Sequence, residues 1–590
     1  MLESVKVPFS RLKWGFIPTR RIVDEDIPEE VAAERRDVVG IQEGNYEKPA
    51  DEIEEEEEDE DELEYRDEAN RPWWKFFDEY EHRLNKKARQ SHKWYKWFDE
   101  NDSPAERKLM WKIDILLTFY SMLAYWIKNL DMTNLNNAYT AGLKEDIGMV
   151  GNDLVNTQVL FTVGNIVFQI PFMFCLNSVP LNFVLPGLEL IWSILTILTY
   201  RVQNVTDLQV LRFFIGSLEA PSYLAFQYLF GTFIYNPGMI ARRSMVYYFG
   251  QYIGVMTSGL ISGAIVNNFE GVGGLAAWRW IFIIDGIISV VVAILGFYML
   301  PGTPSDCYSI FFSDDEIRLL RYRLKKNHTG GRPKVNLWRS FFSWPVWRRI
   351  IFSWEIYVLS IWNIFCWNNN NGSSGAYILW IKSLGRYTKG EIQFKSALTP
   401  GLGIVWLFLT CMYADLFRSR WSAIIFSQVF NILGNVLLAV WEIPEDAKWF
   451  AWCLQYFGWA MAPVLYSWMN DICRRDAQRR AVTMVIMNML AQASTAWMAV
   501  IVWRTVEAPR YLKGYSFTAS SAFALSVWTF LVLYLYKKQE RGFARQNGIV
   551  VYNSKTDSEP FPVPESGTES SVTEVKDAQQ TSEKAIKDSS

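Results

Sequence analysis

Histidine and cysteine motifs are scarce in this chain of 590 residues. The three histidines are His82, His92 and His328, and none lies inside an apolar stretch. Six cysteines occur without a Cys-x-x-Cys pair and without ligand-like spacing, which is typical of free buried thiols. We therefore expect no metal site and no catalysis that depends on histidine.

Motifs for nucleotide binding and covalent catalysis are also missing. No G-x-x-x-x-G-K-[ST] sequence occurs, and Gly271–Gly274 is interpreted as a loop glycine run rather than a phosphate-binding loop. No nucleophile, base and orienting residue form a recognisable set. The sequence excludes an ATP-driven pump, and it predicts no enzyme activity and no cofactor.

Apolar residues dominate the sequence instead. Half of the chain is hydrophobic, 16% is aromatic and only 21% is charged. Apolar stretches of about 18 to 25 residues recur, the length that crosses a hydrocarbon core of roughly 30 Å. Because backbone groups in lipid must hydrogen-bond internally, these stretches are predicted to be helices. The twelve predicted spans run near 113–130, 154–176, 182–200, 208–234, 243–267, 279–300, 350–380, 392–413, 421–441, 448–469, 481–503 and 515–536.

The spans form two sets of six, separated and flanked by polar segments. We expect an all-α membrane protein with twelve transmembrane helices in two six-helix bundles and disordered polar tails. Aromatic residues interleaved with lysine in the first tail, at Trp73–Phe77 and Trp94–Phe98, are typical of a membrane surface rather than of nucleic-acid binding. The predicted parts are the N-terminal tail (1–112, acidic run at 51–64), the first bundle (113–300), the central loop (301–349), the second bundle (350–537) and the C-terminal tail (538–590).

Basic residues predict the orientation of the spans. If both ends are cytoplasmic, the inside loops hold the larger share of Lys and Arg, including Arg242-Arg243 and the basic central loop. Cytoplasmic loops of membrane proteins carry this excess. We therefore expect both termini to lie in the cytoplasm, with an even number of crossings.

Ionisable residues inside apolar spans are costly and mark candidate functional sites. The first cluster, at the end of span 1, contains Lys128, Asp131 and Asn134. Lys128 and Asp131 are close to one helical turn apart, so they are expected to pair on one face. The alternative is an interfacial helix end, where the lysine simply reaches water.

The second cluster lies in span 4 and contains Arg212, Gly216 and Glu219. Arg212 and Glu219 are two turns apart on one face, and the glycine between them allows a neighbouring helix to approach closely. A buried carboxylate beside a cation is suited to binding and releasing a proton. The alternative is a static ion pair that only ties helices together.

The third cluster consists of amides in the seventh apolar stretch, where Asn368 opens a run that continues through Ser373 to Gly375. Such a run is tolerable where a broken helix lines a watery cavity. Alternatively, span 7 ends early and the run is an external loop. Asn488 in span 11 and Gln251 in span 5 are further candidate hydrogen-bond donors.

Several further motifs occur in a specific order along the chain. They are Asp131-x-x-Asn134, Arg212-x-x-x-Gly216-x-x-Glu219, Trp278–Gly286, Ala414–Arg420 and Glu507–Tyr511. Together they resemble a known family, the fungal allantoate permeases (anion:cation symporters) of the major facilitator superfamily. The biotin and pantothenate permeases look like more distant relatives. Many members carry a basic residue directly after the first-helix Asp, where this chain has Met132, and Lys128 is the candidate replacement.

The resemblance implies the major facilitator fold, in which two bundles open a central site alternately to either side. We expect a monomeric proton-coupled symporter in the fungal plasma membrane. Its expected substrate is a small organic anion or zwitterion with a carboxylate, such as a sulfur-containing amino-acid derivative, a small peptide, a ureide or a vitamin. A uniporter, an exchanger and a transporter-like nutrient sensor remain alternatives.

The expected function assigns a role to each candidate residue. Lys128 or Arg212 is expected to meet the substrate carboxylate, and Glu219 and Asp131 are expected to couple transport to the proton. Neutral hydrogen bonds to the substrate are expected from Asn134, Gln251, Asn368, Ser373 and Asn488. No metal and no nucleic acid is expected to take part.

Overall fold

The structure is a computed structural model. It describes residues 12–13, 17–19, 64–83, 103–175, 180–233, 237–304, 306–326, 348, 351–370, 374–475 and 477–555. The chain divides into two compact units. The first, here called the helical unit, draws on residues 1–47 and 93–536, and the second, the tail unit, draws on 48–92 and 537–590.

Helices make up nearly all of the described helical unit, apart from the short antiparallel strands β1 (Leu12–Lys13) and β2 (Ile17–Pro18). A capping box of Ser103 and Glu106 begins the first helix, which continues through a π-helical turn into the second. The helices of the first half are α1 (Pro104–Ile113), α2 (Tyr120–Ala138), α3 (Lys144–Asp146), α4 (Asp153–Cys175), α5 (Leu181–Leu198), α6 (Val205–Phe233), α7 (Pro237–Asn268) and α8 (Ala277–Met299).

The second half repeats this pattern with more interruptions. Its helices are α9 (Asp314–Lys326), α10 (Trp354–Asn368), α11 (Ala376–Ser383), α12 (Lys389–Ser396), α13 (Leu398–Phe417), α14 (Arg420–Val440), α15 (Glu445–Leu454), α16 (Phe457–Ala460), α17 (Ala462–Ile472), α18 (Ala477–Val502) and α19 (Leu512–Gly542). Each of the twelve predicted spans overlaps at least one of these helices.

Among the described residues, seven helices are long and apolar enough to cross a membrane. They are Leu181–Arg201, Arg242–Asn268, Ala277–Met299, Lys389–Phe417, Arg420–Val440, Val482–Val502 and Leu512–Gly542. The predicted spans near 350–380 and 448–469 are not single helices. The first breaks between Asn368 and Ala376, where Gly375 has a φ of 70° that favours glycine, and the second divides into α15, α16 and α17.

Helix packing follows the same scheme in both halves. In the first half α2 packs along α7, α4 along α6 and α5 along α8. In the second half α10 packs along α18, which repeats the pairing of the first and fifth membrane helices. The halves meet where α7 contacts α12, α13 and α17, and where α4 contacts α18. The two halves therefore enclose a shared interior.

The tail unit contains structure that the sequence did not predict. Strand β3 (Glu64–Asp67) pairs in parallel with β4 (Ile549–Tyr552), with Glu64 opposite Ile549. The expectation that both tails are disordered is therefore wrong for these segments, because a pairing between the two ends of a chain leaves no local sequence signal. The acidic run falls outside the described residues except for Glu64.

Candidate functional site

A cavity of about 210 Å³ lies between the two halves of the helical unit. Its walls come from α2, α4, α6 and α7 on one side and from α10, α16, α17 and α18 on the other. Charged and amide side chains on the walls are Lys128, Asn129, Asn136, Gln158, Asn165, Arg212, Gln251, Asn370 and Gln492. A polar pocket enclosed by helices of both halves is a typical small-molecule site.

Lys128 and Glu219 form an ion pair between α2 and α6. The Lys128 Nζ lies 3.6 Å from the Glu219 Oε2. The lysine side chain keeps 14% of its surface accessible and lines the cavity, whereas the glutamate side chain is fully buried behind it. Neither carboxylate oxygen of Glu219 has a hydrogen-bond partner among the described residues. The lysine thus joins the cavity to a buried carboxylate.

Arg212 makes the second ion pair, with Asp131. The Arg212 Nη1 donates to the Asp131 Oδ2 at 3.3 Å and to its backbone carbonyl at 3.4 Å. Thr196 donates to the other carboxylate oxygen at 3.4 Å, and the guanidinium lies 5.4 Å from the ring centroid of Phe282. The Nε and Nη2 of Arg212, which also lines the cavity, have no hydrogen-bond partner among the described residues.

The two ion pairs run between helices and not within them. The sequence analysis expected Lys128 to pair with Asp131 on α2, and Arg212 to act on Glu219 on α6. Those partners are exchanged, because α2 and α6 meet so that each cation faces the carboxylate of the other helix. Both pairs therefore hold the two helices together, and both depend on how closely the helices approach.

A third carboxylate, Asp285 of α8, lies buried beside Asp131 and Asn134. The cluster then contains three carboxylates, from Asp131, Glu219 and Asp285, against the two cations Lys128 and Arg212. The excess negative charge is buried, where an uncompensated ion is costly. A single proton would be enough to neutralise it. Nothing local in the sequence shows that α8 brings Asp285 to Asp131.

Asn134 connects α2 to α7 and is not part of the cavity wall. Its Oδ1 accepts a hydrogen bond from the Ser258 hydroxyl at 2.7 Å, and the neighbouring Asn137 donates to Ser258 at 2.7 Å and to Ser262 at 3.2 Å. Gln251 does line the cavity, and its Oε1 accepts from the Tyr125 hydroxyl at 3.4 Å.

The second-half amides are divided between helix contacts and the cavity. Asn368 donates to the Ser494 hydroxyl at 2.7 Å, and Asn488 accepts from the Tyr466 hydroxyl at 3.4 Å. Both are buried and neither lines the cavity. Asn370, next in the same run, does line it, while Ser373 lies outside the described residues.

Aromatic side chains form much of the remaining wall, and the sequence analysis missed them. The rings of Tyr223 and Tyr466 meet across the two halves at 5.7 Å between centroids. The Tyr466 hydroxyl accepts from the Trp367 Nε1 at 3.0 Å, and the hydroxyls of Tyr223 and Tyr248 lie 3.2 Å apart. With 27 Trp and 28 Tyr in the chain, no sequence signal separates these rings from ordinary core residues.

Contacts between the halves occur at both ends of the helices that flank the cavity. At the end marked by Asn137, the Gln393 Nε2 donates to the Asn137 carbonyl at 2.9 Å and to the Thr140 hydroxyl at 2.8 Å. At the opposite end, the Arg242 Nε lies 3.6 Å from the Asp415 Oδ2. Each end thus has polar contacts that must break if the cavity is to open there.

Three comparisons with known proteins agree with this architecture. The family model described as Major Facilitator Superfamily matches residues 121–499. The chain belongs to the major facilitator superfamily. The sequence-based identification is therefore confirmed at that level, and the chain is a multi-pass membrane transporter and not an enzyme.

Two of the similar proteins are transporters of yeasts. The chain is 38% identical over 500 residues to the vitamin H transporter of Saccharomyces cerevisiae, covering 84% of each chain. It is 30% identical over 414 residues to the pantothenate transporter liz1 of Schizosaccharomyces pombe, covering 69% of this chain and 78% of that one.

Solved structures show the same fold. The proton:xylose symporter XylE of E. coli, bound to 6-bromo-6-deoxy-D-glucose, matches with a TM-score of 0.56 at 13% identity. The match covers 70% of this chain and 94% of that one. At this identity the likeness shows the major facilitator fold alone. Among the described residues, no group of His, Cys, Asp and Glu is placed to hold a metal ion.

Proposed function

We propose that this transporter imports a small organic anion or zwitterion with a carboxylate, in symport with a proton. The observation that carries the proposal is the position of Lys128, whose ammonium lines the cavity while its partner Glu219 is fully buried behind it. A cation so placed has two possible anionic partners, the buried carboxylate and a carboxylate in the cavity.

The cavity chemistry supports this substrate class. Beside the Lys128 ammonium, the wall offers the unpartnered Arg212 N–H groups and neutral amides such as Gln251, Asn370 and Gln492. The rings of Tyr223 and Tyr466 provide apolar contact for the rest of the molecule. The relatives are named for vitamin H and pantothenate, which are carboxylic acids with amide groups, so an acid of that kind is the preferred candidate.

Proton coupling follows from the charge balance of the cluster. When a substrate carboxylate pairs with Lys128, Glu219 loses its partner, and a buried lone carboxylate is costly unless it takes up a proton. Asp131 and Asp285 add to the negative charge that the proton offsets. One monoanion and one proton then move together without net charge. A one-unit pH difference supplies about 1.4 kcal/mol, or roughly tenfold accumulation.

Alternating access is supported by the two sets of contacts between the halves. Gln393 with Asn137 at one end and Arg242 with Asp415 at the other are the groups that would part in turn. Helix α10 ends at Asn368, and Asn370 just beyond its end lines the cavity, as is common where a broken helix lies beside a transport site. The basic loops support placing the Arg242 end and both termini in the cytoplasm. The membrane proposed for the transporter is the plasma membrane.

Uptake by proteoliposomes that contain the purified full chain tests the proposal. We expect competition by small carboxylic acids with amide groups and weak competition by their methyl esters, because esters remove the charge that Lys128 recognises. An inwardly directed proton gradient should drive accumulation of a monoanion, and a membrane potential alone should not. Uptake that equilibrates without responding to the proton gradient would identify a uniporter, and absence of any uptake would favour a sensor.

A further inference from the structure

Three large aromatic side chains of the tail unit lie open to the surroundings. They belong to the aromatic turn, the 3-10 helix Trp73–Phe77, which has no buried residue. Trp73 is 76% exposed, Trp74 is 61% exposed and Phe77 is 36% exposed. Tryptophan side chains are well buried on average. Adjacent exposed rings therefore indicate a surface that binds another molecule.

Lys537 holds the aromatic turn in place. Its ammonium donates to the backbone carbonyl of Lys75 and, at 3.0 Å, to that of Phe76. It also pairs with the Glu81 Oε2 at 2.5 Å. Arg71 donates to both Glu81 carboxylate oxygens, at 2.8 and 2.7 Å. The turn is therefore fixed to one side chain of α19, and the charges that fix it are satisfied among themselves.

The position of Lys537 along α19 sets a depth. It directly follows the predicted span 515–536, in which side chains such as Phe523 and Val527 are more than half exposed, as expected for a lipid-facing helix. Lysine at the end of a membrane helix places its ammonium at the interface. Lys537 lies one residue beyond the apolar run, a rise of about 1.5 Å along the helix. The atoms bound to its ammonium therefore lie within one lysine side chain of the end of that run.

We propose that Trp73, Trp74 and Phe77 insert into the headgroup layer of the bilayer that α19 crosses, so that the aromatic turn is a lipid-docking surface. Amphipathic rings are favoured at that depth, since their apolar faces reach acyl chains while the indole N–H groups bond water and headgroups. Lys75 is the one cation of the turn, so the rings carry the interaction and anionic lipid is not required.

A lipid surface is favoured over a protein partner because Lys537 fixes the depth of the turn. A protein partner would have to compete for rings that are already held beside the interface. Docking of the turn also restrains both tails at the membrane, since the same unit contains β3 and β4. This inference does not depend on the substrate or on proton coupling.

Photolabelling of the full chain in lipid nanodiscs tests the proposal. The probe is a phosphatidylcholine with a diazirine on the upper acyl chain, used with and without added phosphatidylserine. We expect the peptide with Trp73–Phe77 to be labelled about as strongly as the peptide with Phe523 and Val527, in both lipid mixtures. Lys537→Met should lower labelling of the aromatic turn several-fold and leave that of the α19 peptide unchanged, and Lys537→Arg should restore much of it.

Three results would overturn the proposal. The first is that the aromatic turn of the wild-type protein is labelled no more than a loop in water. This result does not depend on whether any variant folds. Unchanged labelling in Lys537→Met is another, because the tether would then not set the depth. Protection of Trp73 and Trp74 from a water-soluble tryptophan reagent without lipid labelling would assign the surface to a protein.

Discussion

Gly164 of α4 and Gly216 of α6 face each other's backbones at reciprocal positions. A Cβ on Gly164 would lie 2.3 Å from the Phe213 carbonyl oxygen, and one on Gly216 would lie 2.1 Å from the Phe161 carbonyl oxygen. The sequence analysis assigned this role to Gly216 from its place between Arg212 and Glu219. The close approach brings α6, which supplies Arg212 and Glu219 to the two ion pairs, against α4.

Alanine at either glycine should destabilise the transporter. The closest contact at each position is with a backbone carbonyl, which cannot move aside as a flexible side chain can. Overpacking of this kind typically costs about 1–3 kcal/mol. We expect Gly164→Ala and Gly216→Ala to lower the melting temperature of the detergent-solubilised protein and to reduce uptake. Gly187→Ala is the matched control, because no atom lies within 4 Å of its added Cβ. A melting temperature in Gly216→Ala equal to that of the control would contradict the packing argument.

Removing one partner of the Lys128–Glu219 pair should cost more stability than removing both. Lys128→Met leaves a buried carboxylate alone, and breaking a buried pair in this way commonly costs about 3–5 kcal/mol. We expect the Lys128→Met/Glu219→Gln double variant to melt closer to the wild type than Lys128→Met does. Thermal unfolding measures this, and Lys128→Arg serves as the control that keeps the charge. Additive losses in the double variant would show that the two groups do not interact.

Glu219→Gln should separate transport from its coupling to protons. Glutamine keeps the size of the side chain but binds no proton, so substrate exchange between equal pools should persist while accumulation driven by a pH gradient is lost. Counterflow and gradient-driven uptake in proteoliposomes measure the two activities. If the variant still accumulates substrate with normal pH dependence, the proton is carried elsewhere, and Asp131 or Asp285 becomes the candidate.

The contact of Gln393 with Asn137 should control opening of the cavity at its own end. Gln393→Ala removes the hydrogen bonds to the Asn137 carbonyl and the Thr140 hydroxyl across the halves, and each is worth about 1 kcal/mol. We expect the cavity to open more easily at this end. The measurement is the rate at which a thiol reagent labels a cysteine introduced at Asn136 in the cavity wall, which should increase. Lys395→Ala, on the same short helix, is the control. Equal labelling of both variants would exclude this role for Gln393.

Acidification should loosen the tail unit through His82. The pKa of His82 is lowered from 6.5 to about 4, mainly by burial, while the nearby Glu81 raises it and Lys537, Arg71 and Arg66 lower it. As the pH falls, His82 in the unfolded segment therefore binds a proton at a higher pH than His82 in the folded tail unit. The stability of the tail unit is full above pH 6.5 and falls as the pH drops toward 4. Burial would raise the pKa of Glu81, but hydrogen bonds from Arg71 and Lys537 lower it to about 2, so its contribution is lost only below pH 4.5.

Amide exchange of the β3–β4 pairing measures this effect. The Glu68 N–H donates to the Tyr552 carbonyl at 2.8 Å, and its protection, corrected for the intrinsic rate, should fall between pH 6.5 and 4. His82→Gln should make protection nearly constant over that window. A wild-type profile that is equally flat would contradict the assignment to His82.

The sequence predicted those features that depend only on residues close together in the chain. Apolar length predicted the helices, and charges within apolar runs identified Lys128, Arg212 and Glu219. The exchange of ion-pair partners was not predictable, because spacing along one helix says nothing about which residue of another helix it meets. The aromatic wall with Tyr223 and Tyr466 was hidden for another reason, namely that aromatic residues are common throughout the chain.

The parallel pairing of β3 with β4 has a consequence for biogenesis. The first strand is synthesised before any of the membrane helices, and the second is synthesised after all of them. Until translation has nearly finished, β3 is an unpaired edge and Lys537 is not yet present to hold the aromatic turn. A prematurely terminated product would keep that edge and those rings uncovered, so completion of this small unit distinguishes a full-length transporter from a fragment.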